Sequence, residues 1–138
     1  MKNTLRKGFT LVELLFVMAI IAILAGFAIA NLKDSSKVAT VNSIKNDVRN
    51  AIAVEQTYFA ENQAYDTASG SGTNGNLTGD KGARFSISKG NTLDITTEDC
   101  GDGTLGYSIT GTNDQYADTV TFDSCTDGKI QHSAGNAE

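Results

Sequence analysis

The sequence predicts an α+β fold: one long N-terminal helix packed on a four- to five-stranded antiparallel sheet. Three observations carry that expectation. Residues 8–32 form a run of twenty-five with a single charge, Glu13. Residues 33–62 become amphipathic with a helical period and hold neither glycine nor proline. From Ala83 onward, apolar and polar residues alternate, as in strands with one buried face.

The first element is a membrane helix. Twenty-five residues at ~1.5 Å each exceed a hydrocarbon core of ~30 Å. A charge inside such a helix costs roughly 2.5–3.5 kcal/mol and calls for a function and a partner. Lys2, Arg6 and Lys7 precede the run and an acidic region follows it. That asymmetry leaves the N-terminus in the cytoplasm and exports the rest. A secretory signal places its small-residue cleavage site after the apolar core. Here the small residue, Gly8, comes first, so a cut there removes eight residues and keeps the helix. A plain signal anchor with Glu13 at the headgroups leaves the Gly8–Phe9–Thr10 context unexplained.

The stretch Lys7–Gly8–Phe9–Thr10–Leu11–Val12–Glu13 resembles the processing site of type IV prepilins (a class III signal). It is also similar to that of the related pseudopilins of type II secretion. The resemblance covers residues 6–32 closely and 33–65 loosely, and no specific match extends beyond Ala68. It implies a pilin-like fold and a prepilin peptidase that cuts between Gly8 and Phe9. It further implies N-methylation, giving N-methylphenylalanine at Phe9, and Glu13 as the acid used in assembly. The implied division is a leader over 1–8, a transmembrane and assembly half-helix over 9–32, and an exported domain over 33–138. The implied partners are identical subunits in a helical filament, the peptidase, the pilus assembly machinery, and the inner membrane before assembly. The implied destination is a cell-surface pilus.

Glu13 also has a physical reason to be there. Cleavage gives Phe9 a new amino group one helical turn away. Glu13 can neutralise that amine or the amine of an axially staggered neighbour. In a low-dielectric bundle such a pair sets register, because an unpaired charge there is expensive.

The net charge is −5, and loss of Lys2, Arg6 and Lys7 makes the mature chain more acidic by three. A broad grip on nucleic acid needs a basic surface, so none is expected. Cys100 and Cys125 are the two cysteines, both in the exported part, where disulfides persist. An even count suggests one bridge; two free buried thiols are the alternative. A bridge closing a loop of that size contributes on the order of 3 kcal/mol. In the pilin resemblance a C-terminal disulfide pins a surface loop, and this pair occupies a comparable place. The chain has no proline, whereas type IV pilins commonly kink the later membrane helix with one. Gly26 is the weak point that remains, at ~1 kcal/mol relative to alanine.

Within 33–62, Val38, Val41, Ile44, Val48, Ile52 and Phe59 recur at spacings of 3, 4 and 7. They form one stripe to lay on a domain. The two helical stretches join into one helix from about Phe9 to Asn62. Val54 and Tyr58 lie off the stripe and read equally as surface residues or as contacts with a neighbouring subunit. Residues 66–82, rich in Gly, Ser, Thr and Asn, read as an exposed, mobile loop. No P-loop lysine–serine pair follows a strand there. Phe85 and Ile87, then Leu93 and Ile95, flank the turn Ser88–Lys89–Gly90–Asn91, predicting a hairpin over 83–96. Leu105, Tyr107 and Ile109 predict a third strand, and Val120 with Phe122 a fourth. Ile130, after the turn Thr126–Asp127–Gly128, predicts a short fifth.

The chemistry of catalysis is missing from the pattern. His132, the single histidine, stands in polar surroundings and reads as solvated. No nucleophile has a base at a persuasive spacing, so the chain reads as non-enzymatic. Glu98, Asp99, Asp102, Asp114, Asp118, Asp123 and Asp127 crowd the last third. Calcium is the one candidate ion for such loops, although Asp99–Cys100–Gly101–Asp102–Gly103 is not an EF-hand. No cofactor is otherwise expected. Aromatic residues on or beside the helix read as packing: Phe16 and Phe27 stand about 16 Å apart along it, beyond stacking distance.

Three functions fit in decreasing measure. The first is a structural subunit of a type IV pilus, serving adhesion, motility or DNA uptake. The second is a pseudopilin of a secretion system, major or minor, forming a short periplasmic piston. The third is an anchored ligand-binding domain that never polymerises. Gly8 with Glu13 disfavours the third, and the cysteine pair favours the first over the second.

Overall fold

A computed structural model describes residues 8–71 and 75–135, with the side chains of all of these but 30–33. The elements in chain order are α1 (Leu11–Asn62), β1 (Ala68–Gly70), β2 (Asn76–Thr78), β3 (Arg84–Ser86), β4 (Asn91–Asp99), β5 (Leu105–Asn113), β6 (Thr119–Asp123) and β7 (Gln131–Ser133). Five strands form one antiparallel sheet in the order β1-β4-β5-β6-β7, and β2 pairs with β3 separately. The fold is the expected α+β arrangement of one long helix and a five-stranded antiparallel sheet. Contacts divide the chain into two units, Met1–Ser36 and Lys37–Glu138.

In the first unit the helix is apolar on every side. Each residue from Gly8 to Ile29 is exposed in the single chain. The large apolar side chains from Phe9 to Ile29 each keep at least 44% of their surface open. α1 passes through Gly26 as continuous helix.

In the second unit the apolar stripe of α1 is covered. Val41, Ile44, Val48 and Ala51 are buried with Leu93, Ile95, Tyr107, Ile109, Val120 and Phe122 of the sheet. Each full burial of such a side chain contributes roughly 1.5–3 kcal/mol. Close approach of helix and sheet needs a glycine at 111. A Cβ there would stand 2.5 Å from Ile44 Cγ2 and 3.1 Å from Val48 Cγ2. Beyond the stripe, rings meet in series: Phe59 stacks on Tyr65, and Tyr65–Tyr107 and Tyr107–Phe122 are tilted, with centroids 4.5, 4.6 and 5.5 Å apart. α1 ends at Gln63, which takes a left-handed conformation (φ 54°) and donates its N–H to Phe59 O at 2.8 Å.

Several expectations need correction. Val38 is outside the stripe, at 61% exposure, and Ala51 and Glu55 continue it instead. Val54 and Tyr58 are partly buried against the core of their own chain. Tyr58 also donates its hydroxyl to Lys81 O at 3.2 Å. The expected loop over 66–82 holds β1 and β2 and buries Asp66, Ala68 and Leu77; Gly72 lies outside the described residues. The reason is side-chain chemistry: Asp66 accepts backbone N–H bonds from Thr67, Lys81 and Ala83 and so fixes a glycine-rich stretch. The expected hairpin over 83–96 does not form. Its turn exists, with Asn91 N–H donating to Ser88 O at 3.1 Å, but β3 pairs with β2, and β4 pairs with β1 and β5. The last strand is Gln131–Ser133, after Ile130.

A polar knot ties that turn to the helix. Asp47 accepts from Ser88 N–H, Ser88 Oγ and Asn91 Nδ2 at 2.7–2.8 Å. Asn91 also donates to Ser43 Oγ and accepts from Asn113 Nδ2. Asp47 and Asn91 are both buried, and the burial is tolerable because each polar atom named has a partner.

Candidate functional site

The site begins at Gly8, which is exposed and where a Cβ would meet nothing within 4 Å. Phe9 follows with 82% of its surface exposed. The basic residues Lys2, Arg6 and Lys7 lie outside the described residues.

Thr10 and Glu13 start the helix together. Thr10 precedes the first helical residue and Glu13 is the third within it. The N–H of Glu13 donates to Thr10 Oγ1 at 3.2 Å. In return, Thr10 N–H and Thr10 Oγ1 each donate to Glu13 Oε2 at 2.9 Å. This reciprocal pattern is a capping box, which satisfies donors the first turn otherwise leaves unmade. Its carboxylate also complements the positive end of the helix dipole. Thr10 is thus a capping residue that spacing could have revealed: threonine followed three residues later by glutamate, just before an apolar run. What the arrangement offers chemically is a fixed carboxylate at the head of an uncovered greasy helix. That helix is long and apolar enough to cross a membrane.

At the other end of the sequence Cys100 and Cys125 form a disulfide, with Cα atoms 5.1 Å apart. The bridge joins the chain just after β4 to the chain just after β6. Gly106 of β5 passes beside it, and a Cβ there would overlap both sulfurs.

The acidic loops are occupied with their own turns. Asp99 accepts from Gly101 N–H, Asp102 from Thr104 N–H and Oγ1, Asp123 from Cys125 N–H, and Asp127 from Lys129 N–H. Hydrogen bonds from Thr104 hold Asp102 below the usual carboxylate range. Among the described residues one acidic group converges, Glu98 with Asp123 beside Cys125, and the Cys125 sulfur is committed to the disulfide. Partial burial, the Asp123 charge and a bond to Asp123 raise Glu98.

Asp118 departs from the acidic face. It is buried, 3.2 Å from Lys37 Nζ and 3.0 Å from His132 Nε2. His132, expected to be solvated, is exposed and in addition has a carboxylate partner. Burial pushes Asp118 up, but the bonds and charges of Lys37 and His132 outweigh it and the net direction is down.

Comparison with known proteins bears on part of the chain. The family described as the prokaryotic N-terminal methylation motif matches residues 3–29. The type IV wide pilus major component PilA4 of Thermus thermophilus is 42% identical over 59 residues, 43% of this chain. The matched part is 45% of that relative, so the chain spans about half the length of the curated relative it matches. No solved structure matches. Over residues 3–29 the chain thus carries an N-terminal methylation motif, and over 59 residues it is similar to a type IV pilus major component.

Proposed function

We propose that the chain is a structural subunit of a type IV pilus. A prepilin peptidase cuts between Gly8 and Phe9, and the new N-terminus becomes N-methylphenylalanine at Phe9. The subunit then waits in the inner membrane on its apolar helix. The assembly machinery extracts it into a helical filament of identical subunits on the cell surface. Glu13, held by Thr10, meets the Phe9 amine of a neighbouring subunit. The Cys100–Cys125 bridge braces the exported domain. No cofactor takes part in this reading, calcium included. Adhesion, motility and DNA uptake are the roles such a filament serves.

One observation carries the reading: apolar side chains exposed around the whole helix from Leu11 to Ile29, with one carboxylate at its head. A helix apolar all round needs lipid or copies of itself as surroundings. The test is Glu13→Ala, compared with wild type for membrane content and for filaments sheared from cells. Membrane content should be unchanged while filament yield falls to near background. Normal filament yield from Glu13→Ala contradicts the role assigned to Glu13. Fibres confined to the periplasm in wild type favour the secretion piston instead.

A further inference from the structure

Two carboxylates meet beyond the middle of α1 with no exposed surface at all, Glu55 and Asp66. Asp66 is well supplied with donors. Its Oδ1 accepts from Thr67 N–H and Lys81 N–H, and its Oδ2 from Ala83 N–H, each at 2.8 Å. Gly79 leaves room for it, since a Cβ there would overlap the carboxylate. Three backbone donors thus fill acceptor sites of the Asp66 carboxylate.

Glu55 is in the opposite position. Its Oε2 accepts one bond, from Asp66 N–H at 3.0 Å, and its Oε1 is buried without a partner. An ionised carboxylate has about four acceptor sites to fill. A second buried charge beside Asp66 is therefore unfavourable, whereas a neutral acid with one idle atom costs much less.

We propose that Glu55 is a proton-binding site: as the neutral acid it holds Asp66, and through it Thr67, Lys81 and Ala83, against α1, and loss of its proton loosens those contacts. The latch consists of the Asp66 N–H bond to Glu55 and the bonds that Asp66 accepts from Thr67 beside it and from Lys81 and Ala83 at the far end of the segment. Ionising Glu55 places like charge against Asp66, the residue that organises the whole stretch.

The other groups around Glu55 do not relieve it. Lys81, on the same segment, adds a favourable charge, but its Nζ bonds Tyr65 O at 3.1 Å. Tyr107 on β5 stays neutral, its hydroxyl pushed up to about 12 by burial, Tyr65 and Glu55. Tyr58 on the helix uses its hydroxyl on Lys81 O. Burial lifts Glu55; the Asp66 N–H bond pulls it back, the Asp66 charge lifts it again, and the Lys81 charge lowers it. The net direction is up. A group raised on folding stabilises the fold fully below its unfolded value, near 4.3 for glutamate. That contribution falls as pH climbs through the folded value.

The test uses the full mature chain in detergent micelles, with carbon-13 at the glutamate carboxyls, titrated from acid to mildly alkaline pH. One resonance, absent from Glu55→Gln, should titrate above the other glutamates. The amides of Asp66, Lys81 and Ala83 should shift with the same midpoint. Their hydrogen exchange, corrected for its intrinsic pH trend, should speed up about tenfold for each unit by which that midpoint is raised. In Glu55→Gln these amides should stay put. A Glu55 midpoint in the ordinary glutamate range overturns the proposal. So does a Glu55→Gln protein whose three amides still move as in wild type. Should that variant not fold, the wild-type titration decides alone, since Glu55 is assigned from its own backbone.

Discussion

Residues 11–29 and 41–55 of α1 are both rich in apolar side chains, yet only the second stretch has them covered. The first keeps every large apolar side chain exposed. The second buries Val41, Ile44, Val48 and Ala51 at helical spacing. The two differ in both content and pattern: apolar residues stand on all sides of the first and along one stripe of the second. A single stripe is satisfied by one partner, here the sheet of the same chain. Apolar residues on all sides are not satisfied by one partner, so the first stretch is built for a surrounding medium of lipid or of other helices.

Their two glutamates differ in the same way. Glu13 caps its helix at an exposed end, while Glu55 stands at a position of the buried stripe with one oxygen unpartnered. A charge at a helix start is inexpensive and directional. A charge in a core is expensive and is better carried as a neutral acid.

The comparison is sharpened most by paired truncations. Ile44→Ala empties a fully buried site and should cost about 2–5 kcal/mol, read as a large drop in the unfolding midpoint of the unit Lys37–Glu138. Ile21→Ala, in the exposed stretch, should move that midpoint by less than about 0.5 kcal/mol. It should show its effect in filament yield instead. Equal thermal effects from the two would erase the distinction.

Next in size is the disulfide. Reduction, or Cys100→Ser with Cys125→Ser, should cost the unit Lys37–Glu138 about 3 kcal/mol, measured by denaturant unfolding. Membrane insertion of the first stretch should not change.

Smaller is the effect of Asp118→Asn, about 1–3 kcal/mol at neutral pH. Because Asp118 is lowered on folding, its contribution is present above the ordinary aspartate value and is lost as pH falls through the folded value. Acid unfolding of Asp118→Asn should therefore be less steep than that of wild type. This is opposite in sign to Glu55, whose contribution is lost as pH rises, so the pH–stability profile of wild type should fall on both sides.

What the sequence made legible follows the same division. Gly8, Phe9, Glu13 and the apolar run are local signals, and so are the cysteine pair and the strand alternation at β4 to β6. The Thr10–Glu13 cap was equally local, a threonine and a glutamate three apart. Glu55 was hidden because glutamate is rarely buried, although it stands four residues after Ala51 on the stripe. Residues 66–82 carry no period because β1 and β2 are three residues each, and their order comes from the Asp66 side chain bonding as far as Ala83. The turn at Ser88–Asn91 signalled a reversal, but the choice of β1 and β5 as partners of β4 is non-local and leaves no mark within the turn.

The most direct measurement is electron microscopy of material sheared from cells, with intact mass and N-terminal sequencing of its main subunit. The account predicts long filaments whose subunit starts at Phe9, one methyl group heavier than the unmodified chain. Filaments whose subunit still carries Met1–Gly8, or a bare surface with trimmed chains left single in the membrane, would contradict it.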